Sequence, residues 1–417
     1  MRYTFAQKYA SLSLVIMPLF ACYNLFGTSM AKYLMLLSCI ILISFGKQTY
    51  YIPQKYKWFI VYAFSIPQVV ALITSNTSHF IGSYITLGLF SANLCLAIPF
   101  LEKRLLMKYY KAVVYFTVFI FALQELSFIL LGHRFSGLLP FFTLYNDVPA
   151  AQYATTLINA PRSSSIFVEP SHYAQYLAPF LALSLYGLYD KRKFINKESI
   201  IVTVVFLIMR SGNGIFLCAS IWGVHLLIAN IGKFKKFLLV IPLSLFVAYQ
   251  GYTVFSQTEQ GAALLDRQEE LSSDYDRTDS SGTIRIFRGF FVQEEMTPFT
   301  KIFGVGQGGA NDIIDHSSVK WMFFNEHYLN NASGFLISYG YIGTLLFLLF
   351  LFSQYNKQNK GSLMLIVAFI VLCFIESFMC DSRMLLYTSL ICMMSDNVSK
   401  PVAITGKRVS NVALENK

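Results

Sequence analysis

Charge is what this sequence has least of. Only 13% of its 417 residues are Asp, Glu, Lys or Arg, against about 25% in a soluble domain. Most of such a chain has no water-facing surface to cover, which excludes an ordinary soluble globular protein. A disulfide scaffold is excluded next. The seven cysteines include no CxxC pair; six fall in apolar runs, where thiols act as small hydrophobes, and Cys380 stands at a loop edge. His316 and His327 have no ligand-spaced partner, so no zinc site is expected. Internal repeats and low-complexity stretches are missing. The first apolar run lacks a small-x-small cleavage site, so no cleavable signal peptide is expected.

What is present is apolar. Hydrophobic residues make up 55% of the chain and the mean hydropathy is +0.52. They form long runs broken by short charged punctuation, the pattern of repeated membrane crossing. The runs predict about twelve spans, at 10–26, 30–46, 58–74, 80–100, 112–131, 171–189, 198–210, 213–230, 236–253, 334–353, 361–379 and 383–396. Five spans fill 1–131, four fill 171–253 and three fill 334–396, with a tail at 397–417. Between them lie two long loops, 132–170 and 254–333. The expected fold is therefore an all-α polytopic membrane protein.

The net charge of +11 is explained by orientation. With the N-terminus inside, every inside segment is basic, and together these segments hold 22 of the 33 Lys and Arg residues. That agrees with the positive-inside rule at each step. Both termini are then cytoplasmic and both long loops face outward. No contiguous basic face of the kind that reads nucleic acid is present.

The cations also divide by type. The inside set is mostly Lys, whereas the outside set holds Arg134, Arg162, Arg210, Arg267, Arg277, Arg285, Arg288 and Arg383 against only Lys32, Lys301 and Lys320. Orientation needs no such split. The planar guanidinium fork binds phosphate bidentately and stays charged where hydration is poor. An outward Arg cluster thus points to a bound phosphate or pyrophosphate. Arg210 and Arg383 stand at span mouths. Arg267 and Arg277, lodged among Asp266, Glu269 and Asp274, read better as ordinary salt bridges. Ser256–Asp276 and Ile284–Glu295 are candidate loop helices. The second is amphipathic, with Phe287, Phe290 and Phe291 on one face and Arg285 and Arg288 on another. It suits a membrane interface, guanidinium groups at headgroup level.

Glu125 and Glu376 fall toward the outer ends of their spans. Ion-coupled transporters more often place such groups at the midplane, which weighs against transport. Two other motifs mislead. Gly304-Val-Gly-Gln-Gly-Gly309 satisfies GxGxxG but lacks a βαβ context; a tight turn is expected, with N–H groups free to face a phosphate. Asp274-Tyr-Asp276 is a lone DxD in an acidic stretch.

Three segments carry a resemblance. They are Arg162-Ser-Ser-Ser-Ile-Phe-Val-Glu169-Pro170-Ser171-His172-Tyr-Ala174, then Ser281-Gly-Thr-Ile-Arg285-Ile-Phe-Arg288 with Phe303-Gly-Val-Gly306, then Asn325-Glu-His327-Tyr328-Leu-Asn-Asn331 leading into Ser338-Tyr-Gly-Tyr-Ile-Gly343. Their order and the two outward loops resemble the Wzy-type O-antigen and polysaccharide polymerases, in the clan of the O-antigen ligases. The resemblance covers the topology throughout and local motifs over about 160–345. It implies a GT-C-like fold with short periplasmic loop helices, in the bacterial inner membrane. The implied reaction joins undecaprenyl-pyrophosphate-linked repeat units at the periplasmic face. A chain-length regulator is an implied partner, and no cofactor is implied. Ligases of the clan often show Arg followed by Trp, and a His-Asn pair, where this chain reads Arg285-Ile-Phe and His327-Tyr328; that favours a polymerase.

The residues suit such chemistry. A pyrophosphate leaving group needs charge stabilisation, for which Arg285 and Arg288 are the catalytic candidates, with Arg162, Arg210 and Arg383 as substrate contacts. The attacking hydroxyl needs a proton acceptor, either His327 or Glu169. His172, Asn325, Tyr328 and Asn331 are further substrate-binding candidates, and Tyr173, Tyr176 and Trp321 are candidates to pack on sugar rings. Glu169-Pro170-Ser171 reads equally as a helix start. Asn325 and Asn331 read equally as caps of the tenth span.

Overall fold

Thr4 starts the first helix six residues before the apolar run does. Its hydroxyl accepts from Gln7 N at 3.3 Å while Gln7 Oε1 accepts from Thr4 N at 2.9 Å, a reciprocal cap. In this computed structural model, residues 3–45, 49–53, 55–74, 80–144, 148–157, 162–186, 195–230, 286–318, 328–357, 359–395 and 402–403 are described. The expected span 236–253, the helix expected at Ser256–Asp276 and Asp274-Tyr-Asp276 lie outside them, as do Arg267, Arg277, Arg285, Trp321, Asn325 and His327.

The described chain is mostly helical. In order come α1 (Phe5–Ile16), α2 (Met30–Phe45), α3 (Tyr56–Ala63), α4 (Ile66–Ile73), α5 (Phe80–Ala97), α6 (Lys103–Leu131), α7 (Ala150–Leu157), α8 (Pro170–Tyr186), α9 (Lys197–Ile208) and α10 (Gly212–Asn230). Then follow α11 (Arg288–Glu295), α12 (Pro298–Phe303), α13 (Gly306–His316), α14 (Asn331–Ser353), α15 (Gly361–Ile375) and α16 (Ser382–Met394). Among the described residues, four helical stretches are long and apolar enough to cross a membrane, Tyr56–Ile73, Ile81–Phe100, Lys103–Leu131 and Asn331–Ser353, and there are several shorter apolar helices. α6 begins earlier than the apolar run, because the Glu102 carboxylate caps Leu105 N at 2.9 Å.

The burial pattern is that of a protein in hydrocarbon. Large apolar side chains point outward, among them Phe119, Ile129 and Leu130 on α6. Asn93, Gln124, Gln175 and His225 point inward. A soluble protein sorts these the other way. α8 stands at the centre, buried along nearly its whole length against α9, α10 and α15. The main core gathers Phe59, Tyr110, Phe180, Tyr339, Phe347 and Tyr387 around it.

Among the described residues, five strands of two or three residues depart from a purely helical fold. β1 (Tyr23–Leu25) pairs antiparallel with β2 (Thr28–Ser29) and with β4 (Thr143–Leu144). β3 (Thr49–Tyr50) pairs with β5 (Val402–Ala403). The first ladder closes the α1–α2 turn and holds down the 132–157 loop, where Leu139 N donates to Tyr23 Oη at 2.9 Å. It also ends the first helical segment at Phe20, short of the expected residue 26.

The helices after residue 286 lie on α14 through close backbone approaches. At Gly304 a Cβ would come within 2.5 Å of Ser338 O, and at Gly340 within 2.3 Å of Ile302 O. Both glycines have positive φ, +78° and +64°, a region other residues seldom adopt. α14 kinks at Gly340, and Val305 N donates to Ile337 O at 3.1 Å. The GxGxxG stretch is therefore no open turn facing a phosphate. Gly304 and Val305 are bound to α14, and α13 starts at Gly306. Two of the three resemblance segments meet at this contact.

Candidate functional site

Asp381 caps α16 by accepting from Arg383 N at 2.7 Å and Met384 N at 3.0 Å. The same carboxylate accepts from Arg383 Nε at 2.6 Å. Arg383 Nη1 donates to Gln175 Oε1 on α8 at 2.9 Å, and Nη2 to Ser377 O at 2.8 Å. Each guanidinium nitrogen thus already has a protein acceptor. This Arg ties α8, α16 and the 376–381 segment together, so its fork is not open to a phosphate.

Glu376 continues the network. It is buried, its Oε1 accepts from Asn213 Nδ2 at the start of α10 at 2.7 Å, and its backbone carbonyl accepts from Asn331 N at 2.9 Å. Asn331 is not the cap of α14. Asn330 is: its Oδ1 accepts from Ser333 N at 2.9 Å, and its Nδ2 donates to Ile286 O and Phe374 O. Asn331 instead accepts from Phe378 N at 2.7 Å. One residue sets the helix start, and its neighbour is released to hold the segment that follows α15.

Arg162 Nη1 donates to Arg210 O at 3.5 Å. Arg210 has a positive φ of 53° in the tight α9–α10 turn, three residues before Asn213. Arg162, Arg210, Asn213, Glu376 and Asn331 therefore form a connected line at one end of the bundle. Pro170 opens α8, as the helix-start reading of Glu169-Pro170-Ser171 expects. Glu169 accepts from Ser171 Oγ at 3.1 Å and lies on the α7 side. Burial first, and the Glu169 charge second, hold the Tyr153 phenol above its usual range. His172 is half-buried on the first turn of α8.

Tyr173 and Tyr176 do not face a ligand. They are core residues, Tyr173 against Phe121 and Phe167, and Tyr176 donating its hydroxyl to Val15 O. α8 is surrounded, so its aromatics have no open face. Arg134 is likewise structural: buried, it donates to Ser163 Oγ at 2.9 Å, pairs with Glu125 at 3.4 Å and lies over the Phe128 ring.

α11 also departs from expectation. Arg288 is only 1% exposed, while Phe287 beside it is 49% exposed. Arg288 points inward, not to headgroups. Gly289 explains the reversal: a Cβ there would fall 2.0 Å from Ser333 Oγ, so α11 presses on α14 and carries Arg288 inward with it. Burial pushes the Arg288 guanidinium down to about 9, opposed by the Tyr328 phenol, and it remains a cation at neutral pH. Tyr328 is also in electrostatic contact with Arg383 and donates to Ile375 O at 3.3 Å.

Beside this network opens a cavity of about 810 Å³. Lys32, Ser83, Gln307, Asn331, Ser377 and Asp381 line it, with Leu72 and Ile81 among its apolar lining residues. Its walls come from the starts of α2, α5 and α14, the end of α4, α13, and the α15–α16 segment. Lys32, Gln175, Asn213, Gln307 and Asp381 are not among the residues singled out from sequence. Only Asp381 carried a signal, as an acid two residues before Arg383 where an N-cap belongs.

Comparison with protein-family models finds no match, and neither does comparison with curated proteins.

Proposed function

We propose that this chain is a surface-polysaccharide polymerase of the Wzy type. It is a glycosyltransferase that joins undecaprenyl-pyrophosphate-linked repeat units at the periplasmic face of the bacterial inner membrane. The reading includes twelve spans, a GT-C-like arrangement, cytoplasmic termini and no need for a metal, since Arg neutralises the leaving group. One observation carries it: a cavity of about 810 Å³ with a mixed polar and apolar lining opens at one end of the helical bundle, and Asn331 of the third resemblance segment lines it. Tyr328 lies within electrostatic reach of both Arg288 and Arg383. A ligand with a polar head and an apolar tail fits such a place.

In this reading Arg285 and Arg288 stabilise the departing pyrophosphate. His327 or Glu169 accepts the proton of the attacking hydroxyl. Arg162, Arg210 and His172 shape the acceptor side, while Asn325, Tyr328 and Asn331 flank the donor. Deleting the gene tests the reading through the lipopolysaccharide banding pattern. Lipid-A core capped by a single repeat supports a polymerase. Uncapped core indicates an O-antigen ligase instead, and loss of even outward-facing repeat units indicates a flippase.

A further inference from the structure

Among its described lining residues the cavity offers an incoming anion one cation, and it is a lysine. Among its described lining residues Lys32 is the only base and Asp381 the only acid, and the two lie within electrostatic reach of each other. Arg383, behind Asp381, is already engaged through Nε, Nη1 and Nη2. A flexible ammonium turns from its carboxylate to a ligand more easily than a guanidinium leaves three acceptors.

Two amides in the same wall are left incomplete. Asn331 is 1% exposed, and its Nδ2 meets no oxygen acceptor; its polar neighbour is the Cys373 thiol, a weak acceptor. Gln307 Oε1 is buried without a donor. Buried polar groups are nearly always paired. A hydroxyl both donates and accepts, so a polyhydroxylated ligand satisfies both atoms. Leu72 and Ile81 add large apolar side chains to the lining, and both are exposed.

We infer that this cavity binds the phosphorylated sugar end of an amphiphile. Lys32 contacts the phosphate, Asn331 and Gln307 contact sugar hydroxyls, and the lipid chain leaves past Leu72 and Ile81. The choice of a polyprenyl pyrophosphate as that amphiphile rests on the function proposed above.

The test is binding to the purified full-length protein in detergent. The probes are undecaprenyl pyrophosphate, phosphatidylglycerol, and the lipid-linked single repeat isolated from the deletion strain. Wild type is expected to bind the first and third. Lys32→Gln weakens both by at least about tenfold, the loss of one charge-assisted contact, and Lys32→Arg retains them. Gln307→Leu weakens the glycan-bearing probe and leaves the bare carrier unchanged. Carrier binding that is indifferent to Lys32→Gln overturns this site while leaving the polymerase standing. Equal affinity of Gln307→Leu and wild type for the glycan-bearing probe overturns the hydroxyl assignment. Lys32-dependent binding of phosphatidylglycerol alone makes the cavity a headgroup site and overturns the inference. A wild type that binds no prenyl pyrophosphate overturns both inference and polymerase.

Discussion

Gly304 and Gly340 meet backbone to backbone, and neither has room for a side chain. The contact fixes the kink of α14 and seats the loop helices on it. Gly304→Ala and Gly340→Ala each force a Cβ into a carbonyl and strain a positive φ. Each is expected to cost about 3 kcal/mol, seen as a lower unfolding temperature in detergent. An unchanged melting curve for both variants would show that the contact does not hold the loop helices.

Asn330 makes three ties at once, capping α14 and reaching Ile286 O and Phe374 O. Asn330→Ala should destabilise by about 1–3 kcal/mol. Asn330→Asp keeps the cap but loses both amide donations, so its melting temperature should fall between those of wild type and the alanine variant.

Arg383 is a brace. Arg383→Lys leaves the Gln175 and Ser377 acceptors without a fork to meet them. We expect a loss of about 2–4 kcal/mol on thermal unfolding. A variant that melts like wild type yet has lost ligand binding would return Arg383 to the role of a direct phosphate contact.

Arg288→Ala and Arg285→Ala are expected to abolish polymer while the protein remains inserted. Arg288→Lys should also be poor, because a point charge cannot replace the planar fork. A full ladder of chain lengths from either alanine variant removes that residue from leaving-group stabilisation.

The apolar runs made the helices legible, because a lipid-facing helix must be apolar over its whole length. Their ends were less so. Thr4 and Glu102 start helices through side-chain caps that a hydropathy reading passes over, and a short strand at Tyr23 ends the first one early. The polar end of the bundle was legible in part. Arg210 and Arg383 stood out as cations at span mouths, Arg162 and Asn331 as members of the resemblance segments, and the structure joins them to one network. Which of them faces a ligand was not legible. Arg288 turns inward because of Gly289, an effect of tertiary contact with Ser333 some 44 residues on. Lys32 counted only as one of the outward lysines, because its companions come from helices distant in the chain.

Asp381 answers to four claimants: two backbone amides at the head of α16, the Arg383 guanidinium and the Lys32 ammonium. Shape and charge are both required of it. Asparagine would keep the cap and strand two cations, and glutamate would keep the charge but shift the carboxylate by one methylene relative to all four partners at once. Across relatives of this chain, position 381 should therefore be the immobile partner. Position 32 should drift only between lysine and arginine, or lose its charge only where 381 has lost its own.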